Sequence, residues 1–231
     1  MKWNAVITVL AISLPSSAAP TDLKQVAHDI DEFLSVDCPE ETGDAKTKLA
    51  IDLARQKNRE DEPSTFQKIP FADLLNEGDD TDRWRGVAGV VLEGYVIDVK
   101  PGGVETCNCR TTDVLFKDTH IELIAAKDDP GAKKDGTFRR VIVEVTPRFR
   151  LTKAQDGVDW TTDTLRQTIK GHYVRVKGWM FDDKEHECAA QNTRKEVKPA
   201  CVGRDRTVWR ATTWEIHPLT SIEVLPGKPP N

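Results

Sequence analysis

The stretch Thr161–Phe181, TTDTLRQTIKGHYVRVKGWMF, restricts the fold more than any other part of the sequence. Leu165 and Ile169 are four residues apart, which places them on one face of a short helix. Gly171 follows, and glycine is the residue that most often ends a helix in a left-handed conformation. Tyr173–Phe181 then places basic residues between apolar strand formers. The sequence therefore predicts a short helix that passes through one glycine directly into a strand.

Four other segments have the composition of strands and are separated by turn-forming residues. They are Gly86–Lys100, Val114–Ala126, Phe138–Val145 and Thr207–Leu225, the last with Pro218 at a bulge or break. Five strands, with a helix between the third and the fourth, resemble the oligonucleotide/oligosaccharide-binding (OB) barrel. We therefore expect a mainly β fold over residues 84–226, a five-stranded OB-like Greek-key barrel preceded by a short acidic α-helical region.

Three short segments carry a second resemblance. They are VTPR at Val145–Arg148, GWMFD at Gly178–Asp182 and WEIHP at Trp214–Pro218. In these segments the chain is similar to uncharacterised exported bacterial proteins. The resemblance implies export and no particular activity.

Residues 1–18 have the pattern of a secretory signal peptide. Lys2 supplies a positive charge, Ala5–Leu14 is an apolar run too short to span a membrane, and Ser16–Ala18 offers small residues for cleavage after Ala18. Nothing later in the sequence is apolar enough to cross a bilayer. We expect an exported protein, periplasmic or secreted.

Residues 19–83 form an acidic region with helical periodicity. Thr21–Val36 and Asp44–Lys57 carry apolar residues at three- and four-residue spacing, and Asn58–Thr65 is typical of a linker. The net charge is −8 from Ala19 to Arg85 and +2 from Gly86 to Asn231. Since nucleic-acid binding usually needs a strongly basic patch, the net charge does not indicate it. Residues 227–231 are expected to form a frayed tail.

The five cysteines predict disulfides in an exported protein. Cys188 and Cys201 flank a polar loop and are the best candidate pair. Cys107 and Cys109 are poorly spaced to pair with each other, so Cys38 is expected to pair with one of them. One thiol is left over.

Histidines and carboxylates recur in three separate parts of the barrel. His120 and Glu122 share one strand face with Asp118, and Glu215 and His217 share another. A third group follows the fourth strand and consists of Asp183, Glu185 and His186. Convergence of these groups would hold a divalent metal, with His120, Glu122, Glu215 and His217 as ligands. The alternative is that they alternate on a solvent-exposed strand face. Apart from such a metal, no cofactor is expected.

Basic and aromatic residues suggest a different kind of site. Arg139, Arg148 and Arg150 lie around the third strand, and Trp209 has an arginine beside it. OB barrels bind single strands by stacking bases on aromatic rings in a basic groove. The alternative is that the tryptophans are core and the arginines solvate strand ends.

Three functions therefore stay open. The first is a non-enzymatic binding module for an extended polymer (a glycan or a nucleic acid) or for a protein, using Arg139, Arg148, Arg150 and Trp209. The second is a metal-dependent, phosphodiesterase-like hydrolase in which Arg148 stabilises negative charge. The third is a structural or assembly protein of the cell envelope. No GxSxG, GxxxxGK[ST], GxGxxG or CxxC motif points to another enzyme class.

Overall fold

The structure, a computed structural model, describes residues 21–192, Cys201 and residues 207–229. The predicted signal peptide, residues 1–18, lies outside the described residues. The strands are β1 (Phe66–Lys68), β2 (Gly89–Pro101), β3 (Thr119–Ile124), β4 (Val141–Val145), β5 (Tyr173–Asp182) and β6 (Trp214–Leu225). The α-helices are α1 (Leu23–Glu32), α2 (Lys48–Lys57), α3 (Phe71–Leu74), α4 (Pro147–Gln155) and α5 (Thr162–Ile169).

Five of the strands close into a barrel. The sheet order is β1-β2-β3-β4-β6-β5, and β5 also pairs with β2. Strands β4 and β6 are parallel where Val143 faces Ile216, and the other barrel pairs are antiparallel. This is the order of an OB-like Greek-key barrel. The predicted fold class is confirmed, with β1 as an additional strand beside β2.

The predicted step from helix through glycine into strand is present. Helix α5 buries Leu165 and Ile169 in the barrel core, and Gly171 has a φ of +82°. Strand β5 begins two residues later. Helix α4 was not predicted, although Thr146 caps its start and Pro147 occupies its first turn, which is a common helix beginning.

Two predicted strands are shorter than expected. In the second, Val114–Phe116 forms a 3₁₀ turn, so that strand β3 begins only at Thr119. In the last, strand β6 begins at Trp214. The irregularity expected at Pro218 is a shift in register between β5 and β6 on either side of this proline.

The N-terminal region packs against the barrel. Phe33, just after α1, stacks on Phe116 with ring centroids 4.3 Å apart. A disulfide joins Cys38 to Cys109, and the second disulfide is the predicted pair Cys188–Cys201. Within the part of the chain that the structure describes, no helix has the length and apolar character that crossing a membrane requires.

Candidate metal centre

The candidate site lies on the outer face of three barrel strands. In β3 and β4, residues such as Ile121 and Val143 point into the barrel core. Side chains alternate along a strand, so His120 and Glu144 point outward, and so does His217 on β6. The sequence left open whether this face is solvated, and the structure shows that it is not. All three outward side chains are buried.

Two loops and a helix end cover this face. The 3₁₀ turn Thr106–Asn108 and the segment Lys184–Ala189 lie over it, and Lys57 reaches it from the last turn of α2. Lys57 lies over the ring of Phe181 and binds Glu105 Oε2 at 2.6 Å. The N-terminal region thus turns the outer face of the barrel into a second, polar interior.

His217 is the centre of the cluster. Its Nδ1 lies 3.0 Å from Glu215 Oε1, and Glu215 Oε2 accepts a bond from the buried Arg210 at 2.8 Å. The opposite nitrogen, Nε2, lies 3.5 Å from Asp118 Oδ2. A carboxylate that orients a histidine through one nitrogen while the other faces a ligand position is a common arrangement around metals.

Several polar atoms in the cluster have no hydrogen-bond partner among the described residues, which is costly for buried groups. They are Asp118 Oδ2, His120 Nε2, Glu144 Oε2 and His217 Nε2. Asp118, Glu144 and His217 each place one potential ligand atom within 4.8 Å of the others. Since two ligands about 2.1 Å from one ion are at most about 4.2 Å apart, small movements would let all three bind the same ion.

Glu144 links the cluster to a second histidine. Its Oε1 lies 2.9 Å from His120 Nδ1, while its Oε2 lies 3.6 Å from His217 Nδ1. Burial alone would raise the pKa of Glu144, but the bond to His120 and the charge of His217 hold it below its usual range. Glu144 is therefore ionised and available as a ligand.

The net effect of burial and neighbouring charges is to shift the pKa values of Asp118 and His217 upward. Burial raises the pKa of Asp118 to about 7, with Glu105 and Glu144 adding to the shift against the effect of His217. Burial would lower the pKa of His217, but Glu215, Asp118 and Glu144 raise it to about 9. In the metal-free protein His217 holds a proton that a metal would replace.

A cavity of about 290 Å³ opens beside the cluster. Glu144 and His120 line its inner wall, and His186 lines it on the side of the Lys184–Ala189 segment. His186 is held by Asp183 at 2.5 Å, and its ring meets Trp209 edge-on at 6.2 Å. The cavity thus places the candidate ligand Glu144 beside two histidines, His120 and His186.

Of the four predicted metal ligands, the structure brings His120 and His217 to either side of Glu144. Glu215 orients His217 through the contact with its Nδ1 and is not itself one of the converging ligands. Glu122 binds Lys100 at 2.5 Å and Arg140 at 2.9 Å, at the edge of the cluster. The ligand set that converges is therefore a different one, in which Asp118 and Glu144 stand in place of the two predicted glutamates.

The predicted ligand-binding arginines have separate protein partners. Arg139 pairs with Asp129 at 2.7 Å, and Arg148 pairs with Glu60. Arg150 is fully buried and donates to the carbonyl oxygens of Leu115, Lys117 and Trp160 and to Thr119 Oγ1. Trp209 lies beside His120, with ring centroids 5.6 Å apart, and so borders the metal cluster instead.

Several members of the site, Glu144 and Lys57 among them, were not predicted from the sequence. Glu144 is an isolated carboxylate between Val143 and Val145 in an apolar strand, and this pattern was a usable signal. Lys57 is the last residue of an amphipathic helix whose sequence is typical of a surface helix. No local pattern predicts that its ammonium group is buried among carboxylates.

No protein-family model matches the chain, and comparison with the curated proteins finds no significant match. The similarity of the segments at Val145–Arg148, Gly178–Asp182 and Trp214–Pro218 to exported bacterial proteins therefore stays a prediction.

Proposed function

We propose that this protein is an exported, divalent-metal-dependent hydrolase whose metal binds between Asp118, Glu144 and His217. One observation carries the proposal: Asp118, Glu144 and His217 each place a potential ligand atom within 4.8 Å of the others, and each has a buried polar atom without a hydrogen-bond partner among the described residues. Two carboxylates and one imidazole are a ligand set suited to zinc or manganese. Two disulfides agree with export, since they are typical of oxidising compartments.

The number of ligands favours catalysis over a structural metal. Structural zinc sites use four protein ligands, whereas catalytic sites use three and leave a position for water. Of the three ligands, Glu144 lines the cavity, so an ion bound there would have access to it. A metal-bound water in that position would be activated by the loss of a proton at near-neutral pH.

His120 is placed to move that proton. Its Nδ1 is oriented by Glu144, and its Nε2 has no hydrogen-bond partner among the described residues, although Glu122 Oε1 lies 3.9 Å away. A histidine oriented by a carboxylate and facing a cavity is the usual form of a general acid or base. His120 therefore acts as the proton carrier in this proposal rather than as a metal ligand.

The charge of the cavity favours an uncharged substrate. Its walls include Glu105, Glu144 and Glu185, against the two histidines His120 and His186. A phosphodiester would be repelled by those glutamates wherever no metal ion or Lys57 neutralises them, whereas an ester or amide carries no charge to be repelled. We therefore infer an acyl bond as the substrate class, in place of the phosphodiester considered from the sequence.

We place this function ahead of polymer binding by the predicted arginines. Arg139, Arg148 and Arg150 already have partners within the protein, and Arg150 is inaccessible. The unpartnered metal-ligating atoms, in contrast, are left to a group that the protein itself does not supply.

The test is metal binding by untagged mature protein stripped of metal, measured by calorimetry with Zn²⁺ and Mn²⁺. We expect at least one tight equivalent, together with metal-dependent hydrolysis of a p-nitrophenyl ester. Glu144→Gln and His217→Ala should each weaken binding at least about 100-fold, whereas His28→Ala, on the exposed side of α1, should not. Glu144→Gln keeps the shape of the side chain, so it tests the site even if His217→Ala unfolds. Failure of the wild type to bind either ion would overturn the proposal.

A further inference from the structure

A second group of potential ligands lies beside the first and shares one residue with it. Glu105, Cys107 and Asp118 each place a ligand atom within 4.8 Å of the others. We propose that a second divalent ion, zinc by preference, binds between Glu105, Cys107 and Asp118, so that Asp118 bridges two metals. This inference rests on the proposed function, since it extends the same centre.

Cys107 is the one cysteine of the five without a disulfide. It is buried, and its sulfur lies 3.3 Å from Glu105 Oε2. A leftover thiol in an exported protein is exposed to oxidation unless it is shielded or bound. Thiolate is the softest ligand that proteins offer and selects zinc among the common divalent ions.

The loop that carries these ligands is held in place before any metal binds. The carbonyl oxygen of Cys107 accepts a bond from Asn58 Nδ2 at 2.8 Å, and Asp44 N donates to the carbonyl oxygen of Thr106 at 3.0 Å. The disulfide from Cys38 to Cys109 fixes the end of the same turn. A fixed loop lowers the entropy that metal binding must overcome.

Asp118 is able to serve both positions. Its Oδ1 accepts a bond from Asn108 Nδ2 at 3.1 Å, while Oδ2 has no partner among the described residues and the side chain is almost wholly buried. Each carboxylate oxygen has two lone-pair directions, so one carboxylate can contact two ions. Paired metals about 3.5–4 Å apart are common in hydrolases.

Lys57 occupies part of this second position in the metal-free protein. Its ammonium binds Glu105 at 2.6 Å and also lies 3.9 Å from Asp183 and 4.0 Å from Glu185. When a metal takes Glu105, Lys57 keeps these two other carboxylates. The side chain therefore has a place to move without becoming an uncompensated buried charge.

The charges of the cluster match two ions. Five carboxylates face two permanently charged side chains, Lys57 and Arg210. The carboxylates are Glu105, Asp118, Glu144, Asp183 and Glu215. On metal binding the Cys107 thiol would release its proton, and the thiolate would add a sixth negative charge. Two divalent ions together with Lys57 and Arg210 would neutralise all six, whereas a single ion would leave a buried excess of negative charge.

The test is a titration of metal-free, untagged protein with Co²⁺, which replaces zinc and reports a bound thiolate through a charge-transfer band in the near ultraviolet. We expect two equivalents, with the thiolate band, in the wild type. Cys107→Ser should bind one equivalent without the band and keep the wild-type circular dichroism. Glu105→Gln serves as a second variant, with Glu223→Gln, at an exposed position near the end of strand β6, as its control.

The possible results separate this inference from the proposed function. One equivalent in the wild type, with or without the thiolate band, would overturn the second position and leave a single-metal centre. Two equivalents that persist in Cys107→Ser and in Glu105→Gln would also overturn it. No bound Co²⁺, Zn²⁺ or Mn²⁺ at all would overturn both proposals. Loss of the band and of one equivalent in both variants would support it.

Discussion

His217 Nε2 lies 3.5 Å from Asp118 Oδ2, and neither atom has a hydrogen-bond partner among the described residues. The two residues are almost a hundred positions apart in the chain and come from opposite ends of the barrel sequence. Buried polar atoms are usually hydrogen-bonded, so a buried ion pair held at 3.5 Å without a hydrogen bond indicates a position that a ligand could fill.

Glu215 is predicted to position His217 rather than to bind metal. Glu215→Gln removes the charge that holds His217 Nδ1 at 3.0 Å and should weaken the first metal equivalent about 10- to 100-fold. Calorimetry with Zn²⁺ measures the change, and circular dichroism checks that the barrel remains folded. Glu223→Gln makes the same substitution further along the strand and should leave the affinity unchanged. Equal affinities for both variants would contradict the positioning role.

Arg150 is predicted to be structural. Its guanidinium is fully buried and donates to backbone oxygens and to Thr119 Oγ1. Arg150→Met should lower the free energy of unfolding by about 3 kcal/mol or more, because those acceptors lose their donor. Arg139→Ala breaks the partly exposed pair with Asp129 and should cost less than about 1 kcal/mol. Urea denaturation measures both, and similar losses would show that Arg150 is not buried as described.

Gly43 is predicted to be needed for the ligand loop. It has a φ of +54°, and a Cβ there would lie 2.0 Å from the carbonyl oxygen of Thr106. Gly43→Ala should destabilise the protein by about 2 kcal/mol or more and loosen the turn that carries Cys107. Gly103→Ala is the control, because a Cβ at that position meets nothing within 4 Å. A wild-type melting temperature for Gly43→Ala would contradict this prediction.

Asp183 is predicted to lower the free energy of unfolding as the pH falls into the acid range. Burial alone would raise its pKa, but Lys57, His186 and Arg210 hold the pKa well below its usual range. A group with a depressed folded pKa stabilises the protein above its unfolded pKa of about 3.9, and this contribution is lost as the pH falls through the folded pKa.

The free energy of unfolding of the wild type should therefore exceed that of Asp183→Asn by its full amount at pH 7. At pH 3 this difference should be smaller by about 1 kcal/mol. Urea denaturation at both pH values measures the difference. Asp128→Asn, on the surface, should show no such change. A difference between wild type and Asp183→Asn that is the same at both pH values would mean that Asp183 is not held ionised by its neighbours.

Local patterns in the sequence were sufficient for most of the fold. The helix with Leu165 and Ile169, the break at Gly171 and the strand that follows are set by contacts within a few residues, so they can be predicted without the rest of the chain. The disulfide between Cys188 and Cys201 was also predicted from a short separation. Helix α4 was missed because its apolar residues do not form one face, and it packs through a buried proline and arginine instead.

The sequence by itself determined that His120 and Glu122 share one face of a strand, and that Glu215 and His217 share another, because the period of a β-strand is two. Only the tertiary structure decided which of these side chains meet. The barrel register places Glu144 opposite His120, and closure of the sheet brings β6 beside β4. Burial of that face depends on Lys57 and the Thr106–Asn108 turn, which come from distant parts of the chain. Whether alternating polar residues face water or a metal depends on which segments pack over them. The local sequence of the strand does not predict those segments.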